Sequence, residues 1–246
     1  MRHRKLESAI SCGRHWSLLI MMPLMLVIGT TAFAAEPNDF LPQEGHHSLY
    51  RGDMSPGVVG QARLARRGPV ANYYQPVKFA GPDGVKFALA QNGAFGESEE
   101  SLMAGLLIGH VYRFQITQIP GAEGVELYPT VELIDRTYPP ANLATLYPIP
   151  IVVDESDLQA AMDGRLVTRV VYLEDPQTAI PLPGTPTDSR VMDIAYYQDS
   201  LHEADRLGRP VAIVRIGSVA PPTAPALFSQ FFFGYPMWAP IFKPEQ

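Results

Sequence analysis

Residues 109–134 read GHVYRFQITQIPGAEGVELYPTVELI, and this stretch decides the fold. Tyr112, Phe114 and Ile116 alternate with Arg113, Gln115 and Thr117, so a strand here sets apolar side chains on one face and polar ones on the other. Pro120, Gly121, Ala122, Glu123 and Gly124 carry turn chemistry, and Val125, Leu127, Val131 and Leu133 share one parity in the returning segment. The pattern predicts an antiparallel hairpin. Pro129 within it marks an edge or a bulge, because proline gives no donor to a ladder.

Toward the N-terminus, residues 75–80 and 85–90 flank Gly81, Pro82, Asp83 and Gly84, which reads as another hairpin. Toward the C-terminus, beyond Pro139 and Pro140, one pattern occurs twice: Ser156, Gln159, Ala160, Gly164, Arg165 and Val167 correspond to Ser200, Glu203, Ala204, Gly208, Arg209 and Val211. A serine three residues before Gln or Glu has the spacing of a capping box, and the glycine suits a left-handed helix stop. Short helices are therefore expected at roughly 157–163 and 201–207, feeding strands at 166–173 and 211–216. A duplicated module would bring Arg165 and Arg209 to one site. Two helix-to-strand joints that share only their capping chemistry explain the pattern as well, since repeat architectures need about three units or more. Residues 174–199 read as a long loop with Pro176, Pro181, Pro183, Gly184 and Pro186. The class expected is mainly β (α+β): an antiparallel sheet or sandwich-like domain with two short helices.

The start of the chain reads as an export signal. Arg2, Arg4, Lys5 and Arg14 precede the apolar residues 16–29, and Ala32, Phe33 and Ala34 form a small-residue cleavage site before Ala35. An uncleaved anchor is the rival, since residues 16–35 carry no charge, but Pro23 and Gly29 interrupt the apolar centre. The expected organisation is a signal peptide at 1–34, a flexible spacer at 35–71, a mainly antiparallel β domain at 72–219 and a Pro/aromatic-rich tail at 220–246. The expected location is exported: periplasmic, cell envelope or extracellular, with no transmembrane span after cleavage.

Cleavage would remove four of the 19 Lys and Arg and one of the 25 Asp and Glu, leaving 15 against 24. That acidic balance opposes general binding to nucleic acid or to anionic lipid. Cys12 is the single cysteine and precedes the cleavage site, so the mature domain would be cysteine-free. Disulfide scaffolds, thiol catalysis and cysteine-ligated metals are excluded from it. The chain also holds 24 prolines in 246 residues, about twice the usual share of roughly 5%, which favours short strands and many turns.

Motifs that carry chemistry are sparse. His46 and His47 are adjacent and share no face of a helix or strand, while His202 and Glu203 begin like a zinc-protease helix whose second ligand position holds Arg206. Neither a nucleophile elbow nor a phosphate-binding glycine loop is present. Asp154, Glu155, Asp157 and Asp163 gather around one predicted helix, with Glu174 and Asp175 beyond its strand, and read as helix-dipole complements. The tripeptide Arg51-Gly52-Asp53 reads as coincidence in a polar spacer. No metal site and no cofactor are expected. The tail differs: residues 228–242 carry Phe228, Phe231, Phe232, Phe233, Tyr235, Trp238 and Phe242 among Gly234, Pro236 and Pro240. It is too apolar for a solvated tail and must dock.

The run Val111-Tyr112-Arg113-Phe114, then Glu126-Leu127-Tyr128-Pro129-Thr130-Val131-Glu132, Ile134-Asp135-Arg136 and Val167 to Pro176, resembles a group of exported proteins of unknown function from planctomycete-type bacteria. The resemblance covers roughly residues 73–217 and implies an envelope location without an activity. The functional expectation is a non-catalytic exported envelope protein with a structural or binding role. Its contact residues would be Phe231, Phe232, Phe233, Tyr235, Trp238 and Phe242, and its partner an envelope protein or a second copy. The alternative is an exported hydrolase with a site assembled from residues distant in sequence.

Overall fold

The computed structural model describes residues 49–177, 179, 191–234 and 239–243. Strands β5 (Val111–Thr117) and β6 (Thr130–Leu133) form the expected antiparallel hairpin, with Arg113 opposite Thr130. The same register runs on to Ile116 opposite Leu127. Pro129 therefore marks neither an edge nor a bulge. Its carbonyl accepts from the Phe114 N–H at 2.9 Å, and the ladder forgoes only the return bond that a proline cannot give.

Around this hairpin stand β1 (Tyr74–Ala80), β2 (Lys86–Gln91), β3 (Ala94–Phe95), β4 (Met103–Leu107), β7 (Ile149–Val152), β8 (Val167–Glu174) and β9 (Gly208–Ile216). Six strands form an antiparallel sheet in the order β3-β2-β5-β6-β9-β8, and three form a second sheet, β4-β1-β7, in which β1 and β7 run parallel. The expected pairing of β1 with β2 does not occur. β1 pairs with β4 and β7, and β2 with β3 and β5, so residues 81–85 turn a corner between sheets. Both strands are apolar on alternate positions, and local pattern cannot tell a hairpin from a sheet-to-sheet crossing.

One hydrophobic core joins the sheets. Phe79 of β1 meets Phe114 of β5 at 4.1 Å between ring centroids and Phe87 of β2 at 6.0 Å. Val77, Leu106, Ile149 and Ile151 from the smaller sheet pack in the same cluster as Leu89, Ile116, Val131, Leu133 and Val214 from the larger. The fold is mainly β, as expected, with short helices added.

Four α-helices occur among the described residues, not two: α1 (Val58–Ala65), α2 (Glu155–Met162), α3 (Ser200–Leu207) and α4 (Phe228–Phe231). The two expected helices are present, but their N-caps are Asp154 and Asp199, one residue ahead of each helix, and not the serines. Asp154 accepts from the Asp157 amide, and Asp199 from the Leu201 and His202 amides. An ionised carboxylate is the stronger acceptor at a helix N-terminus. Gly164 has the left-handed φ of 83° that the helix stop requires. Gly208 does not: its φ is 169°, and it opens β9 in extended form, where an added Cβ would lie 2.1 Å from the Leu173 carbonyl oxygen.

The expected spacer is a packed element over much of its described length, and residues 35–48 lie outside the described residues. The outer face of the large sheet carries Glu132, Ile134, Ile213 and Arg215, all buried, and something must cover them. α1 does so on one side, placing Val59 beside Ile134, Ile213 and Leu201 of α3. Its approach is close because Gly60 faces Gly109, where an added Cβ would meet the Gly109 Cα at 3.0 Å. No helix among the described residues is long and apolar enough to cross a membrane.

Candidate functional site

The most concentrated constellation is the dock of the C-terminal aromatics. Sheet pleating points Arg113 away from the core that holds Tyr112 and Phe114, yet Arg113 is buried. Its Nε donates to the Phe231 carbonyl at 2.6 Å and its Nη1 to the Tyr128 carbonyl at 2.7 Å. The guanidinium lies 4.2 Å from the Phe231 ring centroid and 5.1 Å from that of Phe233. Burial pushes its pKa down to about 10, still well above neutrality, so the cation persists. Carbonyl dipoles and ring faces replace the water it has lost.

Around this cation the rings interlock. Phe231 meets Tyr128 edge-on at 5.8 Å and Phe232 at 4.9 Å, while Phe232 meets Phe95 at 5.5 Å. The Tyr128 hydroxyl donates to Glu126, and burial together with that carboxylate pushes the phenol up to about 12. Phe231 is buried, Phe232 and Phe233 are half-buried, and Phe228 is exposed. Farther on, the chain lies along the free edge of β4: Gly105 donates to the Pro240 carbonyl at 2.7 Å and Phe242 donates to the Met103 carbonyl at 2.8 Å. Tyr235 and Trp238 lie outside the described residues.

The other singled-out residues serve the fold. Arg169 binds Asp157 at 2.6 Å and reaches Asp154 and Asp193 at 3.4 Å, so the acidic cluster neutralises a strand arginine as well as capping α2. Burial opposes ionisation of Asp154, but donors from Ser156 and Asp157 and the charge of Arg169 hold its carboxyl below the usual carboxylate range. Arg165 and Arg209 are not brought together. Because β8 and β9 are antiparallel, with Val167 opposite Ile216 and Glu174 opposite Gly208, the two arginines stand at opposite ends of the ribbon. Arg165 meets Asp163 at the surface, whereas Arg209 meets Asp135 at 3.2 Å.

The tripeptide at 51–53 is also structural. Arg51 pairs with Asp53, and Gly52 is clasped between Asp199, which accepts from its amide at 2.9 Å, and Arg215, which donates to its carbonyl at 3.3 Å. Arg215 in turn pairs with Glu132 at 2.9 Å, and Glu132 accepts from the Gly60 amide at 2.7 Å. Glu203 pairs with Arg206 on α3, in place of the zinc-protease arrangement. His46 and His47 lie outside the described residues, and among the described residues no three His, Cys, Asp or Glu side chains converge on one point.

Sequence reasoning missed Arg113, Tyr128 and Phe95 as the seat of the tail. The available signal was an arginine on the expected polar face of a strand, set between Tyr112 and Phe114, which is too common a pattern to single out. Set against known protein families, curated proteins and solved structures, the chain matches none.

Proposed function

We propose that this chain is a non-catalytic exported component of the bacterial cell envelope, with a structural or binding role exercised through a preorganised aromatic patch. The observation that carries the reading is the Arg113 dock. Phe231 is anchored there, and Phe228, Phe232 and Phe233 are presented beside it at the surface. Rigid aromatic groups held before contact lose little entropy on binding, which is why such rings dominate interface energetics. The contact element in this reading is the patch at 228–233 rather than a free tail, because Phe231 and Ala239 pack on their own domain. The committed charges of Asp157, Glu132 and Asp135, each paired with an arginine, suit a scaffold.

Export rests on the leader at 1–34 and on the resemblance of residues 73–217 to exported planctomycete-type proteins. Intact mass analysis of the protein from its native envelope should give a species beginning near Ala35, and a full-length species would establish a retained anchor instead. For the contact role, Phe228→Ser together with Phe232→Ser should leave the melting midpoint within a few degrees while lowering envelope retention or self-association. A doubly substituted protein that stays fully associated would exclude the patch.

A further inference from the structure

Residues 137–153 hold no Asp, Glu, Lys, Arg or His, and only the last part of this run, Ile149–Val152, is the strand β7. The rest is a surface loop closed at its neck. The Thr137 hydroxyl lies 3.2 Å from the Tyr147 carbonyl oxygen, and the Thr137 amide donates to Gln75 of β1 at 2.9 Å. Beyond the neck the loop displays apolar side chains: Leu146, Tyr138 and Tyr147 are 69, 55 and 52% exposed, and Leu143 is exposed as well. A single 3-10 turn at Ala144–Leu146 buries none of its residues. Residues three apart eclipse in such a turn, so Leu143 and Leu146 project from one side of it.

The loop backbone is equally short of free donors. Pro139, Pro140 and Pro148 carry none, and the amides of Leu143, Leu146 and Tyr147 donate to the Pro140, Leu143 and Ala144 carbonyls at 3.1, 3.0 and 3.2 Å. Unpaired amides make irregular backbone costly in a medium of low polarity, and the prolines and turns remove much of that cost. Cations stand at the neck. The Arg136 guanidinium lies 5.0 Å from the Tyr138 ring centroid and makes no ion pair among the described residues. That of Arg209 lies 5.1 Å from the same ring and shares the buried Asp135 with Arg63. An uncharged apolar tip above tyrosines and cations matches the layering of a bilayer interface, where acyl chains give way to headgroups.

We propose that the loop at 137–147 anchors the protein on a phospholipid bilayer: Leu143 and Leu146 enter the acyl boundary, Tyr138 and Tyr147 lie at headgroup level, and Arg136 and Arg209 meet lipid phosphates. A second copy or another protein is a poorer fit, because a loop this short cannot supply the roughly 20–30 residues a side of a stable protein interface. The net charge of −6 opposes adsorption of the whole molecule. At physiological salt, however, charges farther away than about 8 Å are largely screened, and the loop itself carries none. This contact is separate from the aromatic patch at 228–233 and requires a membrane surface, not export.

The test places an environment-sensitive fluorophore on Thr145→Cys, an exposed loop position, in the full chain with Cys12→Ser. Phosphatidylcholine vesicles, with and without phosphatidylglycerol, are then added at physiological salt. The expected result is blue-shifted emission that brominated acyl chains quench, stronger with phosphatidylglycerol, whether or not the leader is retained. The same label on Glu100→Cys should stay in water. Leu143→Ser with Leu146→Ser should lower the loop's partition about tenfold or more at an unchanged melting midpoint. Arg136→Gln should cancel most of the gain from phosphatidylglycerol, and Phe228→Ser with Phe232→Ser should change nothing. Emission unmoved by vesicles, insertion indifferent to both serines, a phosphatidylglycerol gain untouched by Arg136→Gln, or insertion that depends on the phenylalanines and not on the leucines would each overturn the proposal. So would a label buried without lipid in a concentration-dependent manner, which assigns the loop to a second copy. Loop insertion by a protein that proves not to be exported would leave this anchor standing and remove the envelope reading alone.

Discussion

Gly164 and Gly208 occupy equivalent places after two helices and are needed for different reasons, which single substitutions can separate. At Gly164 the backbone is left-handed and an added Cβ would meet nothing within 4 Å, so alanine there should cost only the conformational strain, about 1–2 kcal/mol. At Gly208 the backbone is extended and an added Cβ would meet the Leu173 carbonyl oxygen at 2.1 Å, where neither atom belongs to a flexible side chain. Gly208→Ala should therefore be the more damaging by a clear margin in denaturant melts, and equal costs would mean that β8 and β9 can separate freely at this end. Asp154 offers a titration at the same scale. Its carboxyl is held below the usual range in the folded protein, so the stability it contributes is present above the unfolded value of about 3.9 and is lost as pH falls through the lower folded value. Melts of Asp154→Asn should show a shallower loss of stability below about pH 4 than the parent, and parallel acid limbs would exclude Asp154 from the acid response.

Among the elements, the C-terminal segment is the one whose role the structure redefines. Phe231 is buried against Arg113 and Tyr128, and residues 240–242 complete the exposed edge of β4. Ending the chain after Ala226 would leave the Arg113 cation without the Phe231 carbonyl and ring, and would open that sheet edge. Truncation of a single buried Phe costs about 3–5 kcal/mol, so the truncated protein should melt far below the parent or fail to fold. A truncated protein with an unchanged midpoint would show that the dock is dispensable. The sequence carried the strands of this fold clearly and their partners poorly. Alternation at Tyr112, Phe114 and Ile116 is a local signal, and the β5–β6 hairpin follows from it because five turn residues join the strands. The partners of β1 are not local: β4 and β7 reach it from residues 103–107 and 149–152, and nothing in residues 74–80 encodes which strands will come. The same limit hid the aromatic dock, since Arg113 and Phe231 are 118 positions apart and meet only through the completed sheet.

At the scale of the whole molecule, both ends of the described chain clasp a sheet whose own sequence reads as a self-sufficient domain from residue 72. The clasp at the front is polar and buried. Glu132 and Arg215 lie within the outer face of the large sheet, and their charges are satisfied by each other, by the Gly60 amide and by the Gly52 carbonyl. Arg215 Nη2 lacks a hydrogen-bond partner among the described residues, so this buried pair already carries one unsatisfied donor and loses further ligands at a high cost. A chain beginning at residue 72 would leave a buried ion pair half-ligated and uncover Ile134 and Ile213, and breaking the supports of such a pair is strongly destabilising, by about 3–5 kcal/mol where one partner is lost outright. The folding unit therefore begins ahead of Val58, inside what the sequence reads as spacer. Limited proteolysis of the purified protein, followed by N-terminal sequencing of the protected core, should yield a fragment that starts upstream of residue 58 and retains Gly52 and Gly60. A stable, cooperatively melting fragment that starts near Tyr73 would restore the spacer and reduce α1 to a removable cover.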